Sequence, residues 1–425
     1  VGSIIHPGVS GRSNGKTPGF FLQWEACPQP APEFLLQTSN IENPTSIHEF
    51  LNFKKTFPMP TSRRQWLQQV SLAAAGLGIS QGMEAAPVAK PDAGKLILLN
   101  SNENAFGPSP KSIKAMAEAA TMSNRYPDDQ LPVFRNKLAA HWGVAPENLA
   151  LGGGATEIIA LICTMLGEKK GNIITSTPSY QVWHRQANVC GLAVQSVPLN
   201  EEKQFDIPTM VSMIDANTRM LYVCNPNNPT GKVLPFESMR EQVLEASTTT
   251  PVIVDEAYNE FANVPSLAKD AIRLRNLIVI KTFSKVYGLA GARLGYAIGH
   301  PETISKISAY QGWRDVSASM VTVAAASAAL DDQAFVRSCV QRTAANRETC
   351  YKTFSSLGLD YIKSQTSFIL FDISKIKGDF SERMKAKDIM VQYRDHFNGK
   401  WCRVSMGTEE EIAQFCQALK SIAAA

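Results

Sequence analysis

The chain reads as an α/β protein of two domains, a larger one built on a mainly parallel sheet and a smaller α+β one. Three short apolar runs predict the sheet: Leu221-Tyr222-Val223-Cys224, Pro251-Val252-Ile253-Val254 and Leu277-Ile278-Val279-Ile280. Each leads into polar residues at its C-terminal end, where open α/β sheets place their ligands. Strand-like and helix-like stretches alternate up to about residue 308, and 425 residues with 44% hydrophobic and 19% charged side chains suffice for two domains.

Residues 1–58 hold no methionine, begin with valine, are rich in Pro, Ser and Asn, and show no sustained periodicity. Met59 is followed by Ser62-Arg63-Arg64-Gln65-Trp66-Leu67 and a short apolar run from Val70 to Ile79, too short to anchor in a bilayer. This resembles a twin-arginine export signal. The resemblance implies initiation at Met59, residues 1–58 as untranslated sequence read through, and a signal over residues 59–89 cut near Ala85 to Ala89. It further implies the twin-arginine export machinery as a partner and a periplasmic location. The alternative is an ordinary helix start in a cytoplasmic protein.

Lys111 to Ala117 reads as a first helix, and Leu131, Phe134, Leu138 and Trp142 at helical spacing mark a second. Gly152-Gly153-Gly154-Ala155-Thr156-Glu157 opens a helix through Ile162, so the amides of Ala155 and Thr156 can cap a phosphate. Asn172 to Thr175 is a strand leading into Thr177-Pro178-Ser179-Tyr180. The expected division is a smaller domain from residues 92–131 and 309–425, and a larger one from 132–308.

Thr282-Phe283-Ser284-Lys285, followed by Gly288 to Tyr296, places a lysine just past a strand end beside a loop of small residues. The hydroxyl of Ser284 and the guanidinium of Arg293 can share one phosphate there. A pyridine cofactor acts as an electron sink only while its ring nitrogen stays protonated, which calls for a buried carboxylate such as Asp255. Tyr258 and Asn228 are the natural donors to its ring oxygen. Together these outline a pyridoxal phosphate site.

The segments Asn225 to Gly231, Asp255 to Tyr258 and Thr282 to Tyr296, in this order, resemble the fold-type I aminotransferases, most of all the histidinol-phosphate aminotransferase family. The likeness runs from about Leu98 onward and implies a seven-stranded sheet in the large domain. It implies that Lys285 links covalently to the cofactor aldehyde, Asp255 pairs with the ring nitrogen, and Asn228 and Tyr258 hold the phenolic oxygen. Ser284 and Arg293 bind the phosphate, and Tyr180 stacks on the ring. Tyr126, in Asn124-Arg125-Tyr126-Pro127, matches a tyrosine that reaches the neighbouring subunit's phosphate, which implies a homodimer. Arg403 is the family's grip on the anionic end of the substrate, with Arg394 a second candidate. Glu103 and Asn104 match a segment at the site mouth. The implied reaction is ping-pong transfer of an amino group from histidinol phosphate or an amino acid to a 2-oxo acid such as 2-oxoglutarate.

A decarboxylase of an amino-acid phosphate would keep the same cofactor residues, and a non-catalytic binding protein on this fold is the other alternative. The formal charge of +4, with no basic stripe interleaved with aromatics, argues against nucleic acid. Eight scattered cysteines and six scattered histidines give neither a disulfide framework nor a metal-ligand pair.

Overall fold

The computed structural model describes residues 96–315 and 317–424; the expected leader and export signal lie outside the described residues. In chain order the strands are β1 (Ile97–Leu99), β2 (Leu149–Gly152), β3 (Gly171–Thr177), β4 (Leu192–Pro198), β5 (Thr218–Cys224) and β6 (Val252–Asp255). They continue with β7 (Leu277–Thr282), β8 (Gly295–Ile298), β9 (Tyr361–Ile362), β10 (Phe368–Asp372), β11 (Ile389–His396) and β12 (Gly399–Ser405).

Seven strands form one sheet in the order β2-β8-β7-β6-β5-β3-β4. Only β8 runs against its neighbours, so the sheet is mainly parallel. β6 and β7 are buried along their whole length, as their aliphatic runs Val252 to Val254 and Leu277 to Ile280 require when both faces are covered. The register sets Cys224 beside Asp255 and Asp255 beside Ile280, so the C-terminal ends of β5, β6 and β7 emerge together.

The helix Ala155–Gly167 buries Ile158, Ile159, Leu161 and Ile162 in this core. The expected second helix spans Gln130–Trp142, burying Phe134 and Leu138, and ends at Gly143 in the left-handed conformation (φ 60°). The expected first helix spans Pro110–Ala120; Ser109 caps it by accepting from the Ser112 amide at 3.2 Å.

A second sheet, β1-β11-β12-β10-β9, has its own core. Phe354 of the helix Gln333–Ser356 stacks on Phe371 of β10 at 4.4 Å, and Phe415 of the helix Glu409–Ala423 closes on both edge-on. The helix Glu409–Ala423 opens with a reciprocal cap between Thr408 and Glu411.

The division between the two cores differs from the expected one. The helices Pro110–Ala120 and Met320–Asp331 lie side by side, with Ser112 Oγ donating to the Ala325 carbonyl at 3.0 Å. Ala325, Ala326, Ala329 and Leu330 bury in the core of the seven-stranded sheet, so these segments pack with the larger sheet rather than the smaller. The small side chains let the helices approach closely, but they carry no signal of which of two cores will receive them.

Candidate active site

The ends of β5, β6 and β7 converge with β12 of the smaller sheet on a cavity of about 550 Å³, within the range of small-molecule sites. Asp255, at the end of β6, is 2% exposed. Its Oδ2 accepts from the Tyr222 hydroxyl at 3.0 Å and its Oδ1 from the Ala257 amide at 3.1 Å. Burial pushes the carboxyl up to about 6, against the pull of these hydrogen bonds. A carboxylate so placed is stabilised by a cation entering the cavity, and a protonated ring nitrogen is one.

Lys285 follows the end of β7, and its Nζ donates to the carbonyls of Asn102 at 3.2 Å and Ser101 at 3.4 Å. Burial, then the positive charge of Arg403, lowers its ammonium to about 8, so about a tenth of the population offers a free amine at pH 7, far more than an ordinary lysine does. Its Nζ lies 5.6 Å from the Tyr258 ring, which sits edge-on to Phe368. The Tyr258 hydroxyl accepts from Asn102 Nδ2 at 3.1 Å.

Arg403, on β12, donates from Nη1 to Asn228 Oδ1 at 2.7 Å and from Nη2 to the Asn100 carbonyl at 2.9 Å. With its carbonyl end engaged, Asn228 presents its amide N–H groups as donors. The Nε of Arg403 is buried without a hydrogen-bond partner among the described residues, and the side chain as a whole lines the cavity as a cation.

Another part of the cavity lining suits a phosphate. Gly154 caps the helix Ala155–Gly167 at φ 87°, and a Cβ there would collide with the Arg293 guanidinium. The glycine thus lets Arg293 close over the helix N-terminus, where its Nη2 donates to the Gly153 carbonyl at 3.3 Å. The Ser284 hydroxyl accepts from Thr282 Oγ1 at 3.0 Å beside them. Tyr180 also lines the cavity, with its phenol pushed up by burial and then by Asp255. Helix amides, a hydroxyl, a guanidinium and a buried carboxylate lining one cavity fit pyridoxal phosphate.

Of the residues singled out in the sequence, Ala155, Thr156, Tyr180, Asn228, Asp255 and Tyr258 all line this cavity. So do Ser284, Lys285, Arg293, Arg394, Arg403 and Glu103. Arg394 is exposed at the rim, its Nη1 donating to the Tyr393 carbonyl at 3.0 Å. Asn104 stays outside and pins the mouth segment by donating from Nδ2 to the Val286 carbonyl at 2.8 Å. Tyr126 is also outside, 72% exposed and edge-on to Trp313 at 6.1 Å.

Sequence reasoning missed Tyr222, Asn102 and His396. A phenol inside an aliphatic strand is a signal that a buried partner waits for it, and Tyr222 is that case. His396 shares a strand face with Arg394 by the two-residue period. Asn102, at φ 54°, carries no sequence mark of its role as the hub joining Tyr258, Lys285 and Ser405.

Over residues 94–419 the chain matches the family described as aminotransferase class I and II. A histidinol-phosphate aminotransferase from Halalkalibacterium halodurans is 34% identical to it, covering 77% of this chain and 89% of the relative. One from Symbiobacterium thermophilum is 31% identical, over 77% of this chain and 90% of its own. The crystal structure of histidinol-phosphate aminotransferase from Sinorhizobium meliloti, in complex with pyridoxal-5'-phosphate, superposes with a TM-score of 0.71 at 26% identity. That likeness covers 78% of this chain and 92% of the other.

Proposed function

The chain belongs to the aminotransferase class I and II family, and from that premise we propose a pyridoxal-phosphate-dependent enzyme that moves an amino group from histidinol phosphate or an amino acid to a 2-oxo acid. The observation that carries this reading is the pairing, in one cavity, of the Lys285 amine, whose proton affinity burial lowers, with the buried carboxylate of Asp255.

Pyridoxal phosphate, when bound, supplies an aldehyde for Lys285 and an electron sink for charge developing at the substrate α-carbon. The amides of Ala155 and Thr156, the Ser284 hydroxyl and the Arg293 guanidinium would hold its phosphate. Asp255 would face its ring nitrogen, Tyr180 would cover the ring, and Asn228 and Tyr258 would donate to the phenolic oxygen. Lys285 is the base that takes the α-proton and returns it, and its lowered affinity for protons suits that task near neutral pH. Arg403, with Arg394 at the rim, holds the anionic end of the donor.

The proposal includes a homodimer in which Tyr126 completes the neighbouring site. What supports it is the pair of exposed aromatics, Tyr126 and Trp313, on one side of the chain. It also includes periplasmic export, supported by Arg63-Arg64 and the apolar run behind them. N-terminal sequencing of protein from the periplasmic fraction checks the latter, and finding the protein only in the cytoplasm counts against it.

The deciding experiment is a donor screen on cofactor-loaded protein, following the absorption of the Lys285-linked cofactor. Rapid conversion with histidinol phosphate supports the donor of the relatives. Conversion with free amino acids alone makes Arg403 a carboxylate grip. No conversion with any donor, or carbon dioxide in place of an oxo product, overturns transamination.

A further inference from the structure

Gln392, Arg394 and His396 alternate along β11 and all line the cavity that holds Lys285 and Arg403. Across the ladder Gln392 faces Arg403, while His396 faces Gly399, which offers no side chain to engage the imidazole. The turn that follows, Phe397 and Asn398 at φ 50° and 60°, is braced from two sides. Lys203 of the larger unit lies 4.5 Å over the Phe397 ring, and Trp401 meets that ring edge-on at 5.5 Å. His396 is thus a half-buried imidazole on a held strand end, within one anion-receiving face.

The charges around it come from several elements. Its own strand supplies Arg394 and Asp395, whose carboxylate is engaged by the Tyr393 hydroxyl at 2.7 Å. β12 supplies Arg403 and, opposite Asp395, Lys400. Lys203 reaches the adjoining turn, and Glu103 and Lys285 share the cavity. Burial, then Arg394, holds the imidazole below its ordinary range, against the smaller pull of Asp395.

We infer that His396 is a specificity-determining residue: together with Arg394 and Arg403 it favours amino donors whose distal group is a dianion, and it takes up a proton as such a group binds. This rests on the aminotransferase reading above. Two negative charges reverse the local field that keeps the imidazole neutral, so binding and protonation reinforce each other. A single carboxylate is already balanced by Arg403 and gains little from a third donor. The electrostatic cost of the imidazolium beside two guanidiniums then disfavours it.

The test uses the cofactor-loaded enzyme, whose own phosphate cradle is filled, and sulfate, which stays a dianion across the range studied. Calorimetric titration of native enzyme, His396→Gln and His396→Lys is run from about pH 5.5 to about pH 8, on either side of the histidine range. Native enzyme is expected to bind sulfate about five- to tenfold more tightly at the acid end, the equivalent of nearly one unit of coupling, with proton uptake on binding. His396→Gln should lose that slope, His396→Lys should bind tightly without it, and acetate should show none with any of the three. Superimposable curves for native and His396→Gln, an equal slope with acetate, or no sulfate binding at all would overturn the inference. A sulfate linkage that holds while no donor is ever converted would instead count against transamination.

Discussion

Arg403 and Asn228 are joined by a 2.7 Å hydrogen bond from Nη1 to Oδ1, so the expected substrate arginine and the expected cofactor asparagine form one unit. The bond links β12 of the smaller sheet to the loop after β5 of the larger. Arg403→Lys keeps the charge but cannot reproduce the fork that also reaches the Asn100 carbonyl. It should lower kcat/KM by about 10- to 100-fold, the equivalent of a lost charged hydrogen bond or two. It should also shift the absorption of the bound cofactor through Asn228. A substitution that weakens donor binding while leaving the spectrum unchanged would show the two roles to be separate.

Tyr222 holds Asp255 by a 3.0 Å hydrogen bond that favours the carboxylate against its burial. Tyr222→Phe removes that support, so the Asp255 carboxyl should move further above about 6. The acid limb of the pH–rate profile is then expected to shift to higher pH, with activity at neutral pH down about three- to tenfold. An acid limb that stays in place would mean that another group sets it.

For Lys285 the sign is worked from its depressed proton affinity, about 8 in the folded chain against an ordinary 10.5. Between these values the unfolded chain binds more protons, so raising the pH through the window stabilises the folded apoprotein. Lys285→Met should therefore melt higher than the unsubstituted apoprotein below about pH 8, with the gap closing as pH climbs toward 10.5. Attachment of pyridoxal phosphate to the apoprotein should quicken over the same rise. Parallel melting curves at every pH would contradict the buried ammonium.

Behind the site, Lys281 is 1% exposed, its Nζ 2.8 Å from Glu260 and 3.5 Å from Glu256, over the Trp142 ring at 4.6 Å. Glu256 is held further by the Ser266 hydroxyl at 2.6 Å and the Leu267 amide at 2.9 Å. Lys281→Met strands two carboxylates and should cost about 3–5 kcal/mol in denaturant unfolding. Adding Glu260→Gln should recover part of that loss. No recovery would mean that the cost lies in packing rather than in unpaired charge.

The strands that carry the chemistry, and the identity of the groups at their ends, follow from local sequence. Unbroken aliphatic runs such as Leu277 to Ile280 can be satisfied only in a doubly covered sheet, and the polar residues that follow them must then surface at its edge. Lys285, Asp255 and Arg293 were legible for that reason. Tertiary structure alone decided what their neighbours are. Asn102 reaches Ser405 across 303 positions and Tyr258 across 156, contacts that no local period encodes. The same holds for the helix Met320–Asp331, whose alanines suit either of two cores until the larger sheet takes them. It holds also for Arg403, whose partner Asn228 comes from the other sheet. Local sequence sets periodicity and chemistry, whereas the burial that shifts Asp255 and Lys285 arises only when distant segments close over them.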